Sequence, residues 1–354
     1  MAAKKKGKSS FLKKVIIIFF LLLLAGAGIT GWEFYKLIYQ PNVSLNGEKS
    51  TFIYIPTGAD INTVKNILSK KGIVVDINSF EWVSERKKYK DKIYPGKYLI
   101  KAGMNNNELV NLLRSGKQVP VKFVINNFRR KEEIISLAGK ELEADSMKLK
   151  TLFKDEAFLN NYALNTENAG TLFIPNTYEF NWNTSAEEFV DRMRKEHQKF
   201  WTEEKKSKSK QLKLSEAEVS ILASIVEKET RKKNEMPVIA GVYINRLRKR
   251  MLLQADPTLV FASGNFNITR VLNVHKEIDS PYNTYKYSGL PPGPICIPEA
   301  SSIDVVLNYE NHDYLYFCAN PDMSATHIFA KTYDQHLVNA RKFQHELNKR
   351  KIMN

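Results

Sequence analysis

Two glutamates stand one residue apart behind an apolar run in "SIVEKETRKKNEMP" (residues 224–237). A carboxyl group serves as a general acid near neutral pH only where its surroundings favour the protonated form. Helical periodicity separates the two residues. Ser215 is the expected N-cap of a helix, with Glu218 completing a capping box. Val219, Leu222, Ile225, Val226 and Glu229 then fall on one apolar stripe. Glu227 sits about 200° round the helix from Glu229, beside Ser220, Ala223 and Ser224, and is expected to be the wetter of the two. Desolvation on the apolar side would raise the pKa of Glu229 and keep its proton in place. The competing reading has both glutamates solvated, with Lys228 and Arg231 as partners.

The elements that would surround such an acid lie in the last third of the chain. "GVYINRLRKRMLLQADPTLVF" (residues 241–261) reads as an amphipathic helix running into a turn at Asp256–Pro257. Asp256 is the candidate for a second carboxylate, which would suit a hydrolytic glycosidase. Such enzymes hold their two carboxyls about 5–5.5 Å apart for retention or roughly 6.5–9.5 Å for inversion. "SPYNTYKYSGLPPGPICIP" (residues 280–298) has five prolines, two glycines and three tyrosines in nineteen residues, so it must be a long loop. Loops of that length in a compact domain are usually functional. Tyrosine faces suit sugar rings and asparagine amides suit hydroxyls. "DYLYFCAN" (residues 313–320) reads as a strand, with His327 and His336 brought to its end. Neither histidine has metal-ligand spacing, and Cys296 and Cys318 are expected as two small core residues, with a bridge between them as the alternative. No metal and no cofactor is expected.

Upstream, the expected class is α+β. Residues 51–118 read strand–helix–helix–strand–helix, a small module that begins with "TFIYIPTG" and an Asp60-capped helix and ends at Gly116. Residues 119–205 read as a mostly helical intermediate region, with an aromatic turn at "GTLFIPNTYEF" (residues 170–180). "TEEKKSKSKQLKLS" (residues 202–215) reads as an exposed charged connection, placing a boundary near 205 and a site-bearing domain over 206–354.

The 354 residues carry a net charge of +16. Six lysines (Lys4, Lys5, Lys6, Lys8, Lys13 and Lys14) fall in the first 14 residues, leaving +10 for the other 340. That remainder has no Arg-rich stripe or nucleic-acid module, so nucleic acid is not an expected partner. The lysines instead precede "VIIIFFLLLLAGAGITG" (residues 15–31), an uncharged run followed by Trp32, Phe34 and Tyr35. Seventeen helical residues span roughly 26 Å, and the basic side should stay in the cytoplasm. The reading is a basic tail over 1–14, a single-pass anchor over 15–36 and a polar linker over 37–50, the bulk of the chain lying outside the cytoplasmic membrane. A cleaved signal peptide is the rival.

Eight stretches in order give a specific resemblance: "PGKYLIKAGM", "GTLFIPNTYEF", "SIVEKET", "YINRL", "LQADPT", "YNTY", "GLPPGPI" and "YLYF", followed by His327, Phe329, Thr332 and His336. The chain resembles the endolytic murein transglycosylases of the MltG or YceG-like family, and residues 51–118 resemble a LysM-like, glycan-binding module. The resemblance implies Glu229 as the catalytic acid and Asn245, Gln254, Asp256, Tyr282, Asn283, Tyr285 and His327 as the substrate site. It further implies a lyase acting on peptidoglycan strands, cutting between N-acetylmuramic acid and N-acetylglucosamine with formation of a 1,6-anhydro ring. Nascent strands beside peptidoglycan synthases (penicillin-binding proteins) would be its setting. A non-catalytic, membrane-tethered glycan-binding scaffold is the reading from another class. The chain departs from the family pattern at Arg250 and Glu299, where glycine is common, at Tyr309, where proline is often found, and at Ala330, where a small polar residue is usual.

Overall fold

The computed structural model describes residues 8–268 and 270–350. Lys4, Lys5 and Lys6 of the basic tail lie outside the described residues. The architecture is mixed α+β with small two-stranded sheets, in two compact units: the described residues up to Val121 with Asn181–Asn183, and Lys122–Phe180 with the described residues from Thr184 onward.

The first unit opens with α1 (Lys8–Tyr39), whose most apolar 18-residue stretch within Leu12–Tyr39 has mean hydropathy 2.4 and no buried residue. Nothing in that run interrupts a helix, so it continues past the expected anchor end at 36. The module follows as β1 (Ser50–Ile55), α2 (Ile61–Lys70), α3 (Ile77–Arg86), β2 (Gly96–Lys101) and α4 (Asn106–Ser115). Asp60, Asp76 and Asn105 cap the three module helices through their side chains. β1 and β2 pair antiparallel, Phe52 opposite Leu99 and Ile55 opposite Gly96. Alternation puts Ile53, Ile55, Tyr98 and Ile100 into a core with Val64, Leu68, Phe80, Leu109 and Leu113.

The expected linker over 37–50 is not a free tether. Val43 is buried and bridges to Val74, and Pro41 bridges to Asn105. Asn42 is buried, its amide donating to Asp76 O (2.8 Å), Ser79 Oγ (3.1 Å) and Asn106 Oδ1 (2.7 Å). Asn106 in turn donates to Leu37 O at 2.8 Å, and Phe34 stacks on Trp82 at 5.3 Å. Buried amides need partners, and here the partners tie the end of α1 to the module.

The second unit runs β3 (Val121–Ile125), α5 (Lys131–Glu141), α6 (Ser146–Leu152), α7 (Glu156–Asn160), β4 (Asn176–Phe180), α8 (Ala186–Phe200) and α9 (Glu203–Leu212). It continues as α10 (Glu216–Glu229), α11 (Met236–Arg248), α12 (Asp256–Ser263), α13 (Asn273–Lys276), α14 (Ala300–Leu307), β5 (Tyr316–Ala319), β6 (His327–Ala330) and α15 (Tyr333–Lys349). The charged stretch after 202 is as exposed as expected at many positions, but it is a helix and not a bare connection. Thr202 caps it, Lys206 and Lys208 pair with Glu203 and Glu204 one turn back, and Lys205 reaches Asp304 on α14 at 2.7 Å.

The chain divides at 121, close to the expected module end at 118, and no second division falls near 205. Residues 122–180 are joined to the later helices: Ile297 N donates to Phe128 O (2.7 Å), Lys228 Nζ to Asn127 Oδ1 (2.7 Å), and Ile174 lies in the core of α10 and α11. The intermediate region also contains a strand pair, β3 with β4, that its helical reading missed.

Candidate active site

α10 starts where expected, with Ser215 and Glu218 bonding reciprocally. Every residue from Val219 to Val226 is buried, because α11, α12 and α14 surround the helix. Thr230 is extended and ends it. Glu229 occupies the last helical position and is half-buried. The Tyr243 hydroxyl on α11 donates to its Oε1. Burial pushes the Glu229 carboxyl up to about 7, reinforced by the Asp256 charge and opposed by the Tyr243 hydrogen bond and Arg246.

Glu227, like Glu229, is half-buried. Its side chain is 9% exposed. Its Oε2 accepts from Glu299 N and Ser302 Oγ, both at 2.7 Å. It holds the start of α14 through Oε2. Cys296 is buried close by, Cys318 is half-buried, and both are free thiols.

Arg246, three residues after Tyr243 on α11, is buried and knits the surrounding loops. Its Nε donates to Leu315 O (2.6 Å), and its Nη1 donates to Leu253 O (2.8 Å) and Gln254 Oε1 (3.3 Å). Gln254 has φ +52, a conformation that costs a non-glycine residue free energy, and its N–H donates to Thr284 O at 3.0 Å. Asp256 opens α12 with Pro257 behind it in the first turn, so the expected turn is a helix start. Tyr285 donates its hydroxyl to Asp256 Oδ1 at 2.5 Å, and burial followed by that bond drives the phenol well above its ordinary range. Glu229, Tyr243, Arg246, Gln254, Asp256 and Tyr285 form one linked cluster.

The other expected site residues stand differently. Asn245 donates to the carbonyls of His312 (2.6 Å) and Tyr314 (3.1 Å), fixing the approach to β5. Asn283 is fully buried, donating to Lys276 O and Ile278 O and accepting from Tyr285 N at 3.0 Å. It shapes the loop that carries Tyr285. Tyr282 lies against Phe261, 4.7 Å between ring centres, and donates to Glu167 Oε2 at 3.2 Å. His327 opens β6 and bonds through Nδ1 to Glu235 at 3.1 Å. Tyr243, Arg246 and Glu235 were missed by sequence reasoning. The first two had a visible signal, a phenol and a cation at helical spacing on a largely apolar helix. A cavity of about 680 Å³ lies at the other end of α10, against Ala217, Ile221 and Leu290–Pro292, and does not include Glu229.

These parts can hold one proton on a desolvated carboxyl, with the Asp256 carboxylate near enough for its charge to act on it. That is a carboxyl-centred site on an α+β scaffold. Residues 53–342 match the YceG-like family. The endolytic murein transglycosylase of Bacillus subtilis (strain 168) is 31% identical over 320 residues, covering 85% of this chain and 86% of that protein. The protein of the same name from Streptococcus pneumoniae serotype 2 (strain D39) is 29% identical over 329 residues, or 84% of this chain, which spans 59% of its length. The crystal structure of a YceG-like protein from Listeria monocytogenes is similar with a TM-score of 0.54 at 29% identity, over 82% of this chain and 98% of the other. The chain belongs to the YceG-like family.

Proposed function

We propose that the chain is a membrane-anchored lytic transglycosylase that cuts the β-1,4 bond between N-acetylmuramic acid and N-acetylglucosamine inside peptidoglycan strands. The observation that carries this reading is Glu229, a tyrosine-bonded carboxyl raised to about 7 by burial, in a chain related to endolytic murein transglycosylases. Its protonated form donates to the glycosidic oxygen as the bond breaks. The carboxylate left behind takes the proton of the muramyl C6 hydroxyl, whose oxygen attacks C1 and closes a 1,6-anhydro ring. The nucleophile is tethered within the substrate, so no water need be recruited and one carboxyl suffices. Tyr243 occupies Oε1 and leaves Oε2 to exchange the proton.

Asp256 is the only support for a hydrolytic alternative, through its electrostatic effect on Glu229. Its bond from Tyr285 favours a positioning role. The apolar helix α1 serves as a single-pass anchor with its basic end cytoplasmic, and the LysM-like module binds glycan. The enzyme then meets strands as synthases extrude them and limits their length.

The deciding measurement is product mass after incubating the protein with uncrosslinked glycan. Products one water lighter than hydrolytic ones are expected, and Glu229→Gln should abolish them while Glu227 is left intact. Ordinary reducing ends would establish the hydrolase. No cleavage at all would leave the glycan-binding scaffold.

A further inference from the structure

Glu235 takes no part in the chemistry above, yet it is only 8% exposed. It stands at the start of α11, ahead of Met236 and Pro237. Its Oε1 accepts from the His327 backbone N–H at 2.7 Å. Its Oε2 faces His327 Nδ1 at 3.1 Å and accepts from the Thr230 hydroxyl at 3.3 Å. Thr230 directly follows Glu229, and its oxygen also accepts from Lys232 N at 3.0 Å. One carboxylate thus joins the end of the helix that carries the acid to a strand 92 residues further along the chain.

An ionised carboxylate can only accept, so the ring nitrogen facing it must carry a hydrogen. His327 therefore presents Nδ1–H to Glu235 and keeps Nε2 on the far side of the ring. Nε2 has no hydrogen-bond partner among the described residues, and the side chain is 16% exposed. Phe317 meets His327 edge-on at 5.3 Å and Tyr243 edge-on at 5.9 Å, and Tyr243 is the donor to Glu229. His327, Phe317, Tyr243 and Glu229 thus form a continuous arc, and Glu235 braces it at both ends.

We propose that Glu235 is a positioning residue that fixes His327 in the Nδ1–H form, so that Nε2 accepts a hydrogen bond from a sugar hydroxyl of the bound strand. The same carboxylate steadies the end of α10 beneath Glu229. The proposal rests on the reading of Glu229 as the acid. A carboxylate replaced by an amide of the same shape reverses the pattern: the amide donates to Nδ1 and drives the hydrogen to Nε2.

The test uses the full chain in liposomes, with 15N-labelled histidine and the His327 signals assigned by loss in His327→Asn. Solid-state 15N spectra should show His327 protonated at Nδ1 in the unaltered protein and at Nε2 in Glu235→Gln. Release of anhydro products should fall by about tenfold or more in Glu235→Gln, the usual effect of removing a partner that orients a functional histidine. Its thermal unfolding midpoint should stay near that of the unaltered protein. Glu235→Asp, which keeps the carboxylate, should retain the Nδ1–H form and recover part of the rate, and it decides the matter if the amide variant fails to fold. An unchanged cleavage rate in Glu235→Gln, or a lost rate with the ring still protonated at Nδ1, would overturn the proposal. If the unaltered protein releases no anhydro product, the reading of Glu229 fails instead, while the spectra still decide whether Glu235 sets the ring.

Discussion

The carboxyl of Glu229 links pH to both activity and stability, and the two effects can be separated. Its pKa is about 7 in the folded chain against about 4.5 for an unperturbed glutamate. The folded state therefore holds its proton more tightly than the unfolded state between those values. The stability this gives is fully present below about pH 4.5 and is lost as pH rises through about 7. Glu229→Gln, which cannot ionise, should be the more stable protein at pH 8 by about 2 kcal/mol, less than the whole shift implies because the side chain keeps some contact with solvent. At pH 4 the two should unfold nearly together. Chemical denaturation at both pH values checks this, and an equal difference at both would refute it. In the unaltered protein, kcat/KM should decline above pH 7 as the acid form is lost.

Spacing set Glu229 among apolar residues but left open whether it was solvated, and the helix proves to be buried on every side from Val219 to Val226. The bonding of Glu227 was not legible. Its partners Glu299 and Ser302 lie 72 and 75 residues away, and no local pattern announces them.

At the scale of elements, caps and periodicity carried far: Asp60 and Ser215 each begin the helix they were expected to begin, and Gly116 ends the one it was expected to end. What polar composition did not reveal was structure and bonding. The lysine-rich α9 is exposed at many positions, but it is a helix docked at Ser209, its buried residue. Asparagines in the tyrosine-rich loop looked like sugar ligands, whereas the amide of Asn283 is spent on backbone carbonyls. One departure from the family pattern now has a physical meaning. Arg250 has φ +55, a region that suits glycine. Arg250→Gly should raise stability by about 0.5–1 kcal/mol, the left-handed penalty less the extra chain entropy of glycine. Thermal unfolding would register this as a small rise in midpoint with cleavage unchanged. A fall would mean that the guanidinium makes a compensating contact.

For the molecule as a whole, the division of labour lies at 121. The cluster around Glu229 is contained within the second unit, from Glu229 to Tyr285, with β5 and β6 beside it. Deleting residues 1–36 should therefore move the protein to the soluble fraction while leaving cleavage of free strands intact, as membrane fractionation and product chromatography would reveal. A folded but inactive truncation would contradict this. The end of the module, expected at 118, lies close to this division; what the sequence hid is that residues 122–180 pack with the later helices, because Asn127, Phe128 and Ile174 meet partners from the far end of the chain.

The junction at Leu37 to Val43 bears on where the module can work. A slack tether would let it wander over a wide area, and lengthening the tether would change its reach only slowly. Here the helix enters the fold with the Leu37 carbonyl already engaged by Asn106. In an anchored protein, stand-off from the bilayer would then be set by helical rise, so that each extra turn of α1 lifts the module by about 5.4 Å, as a rigid post would.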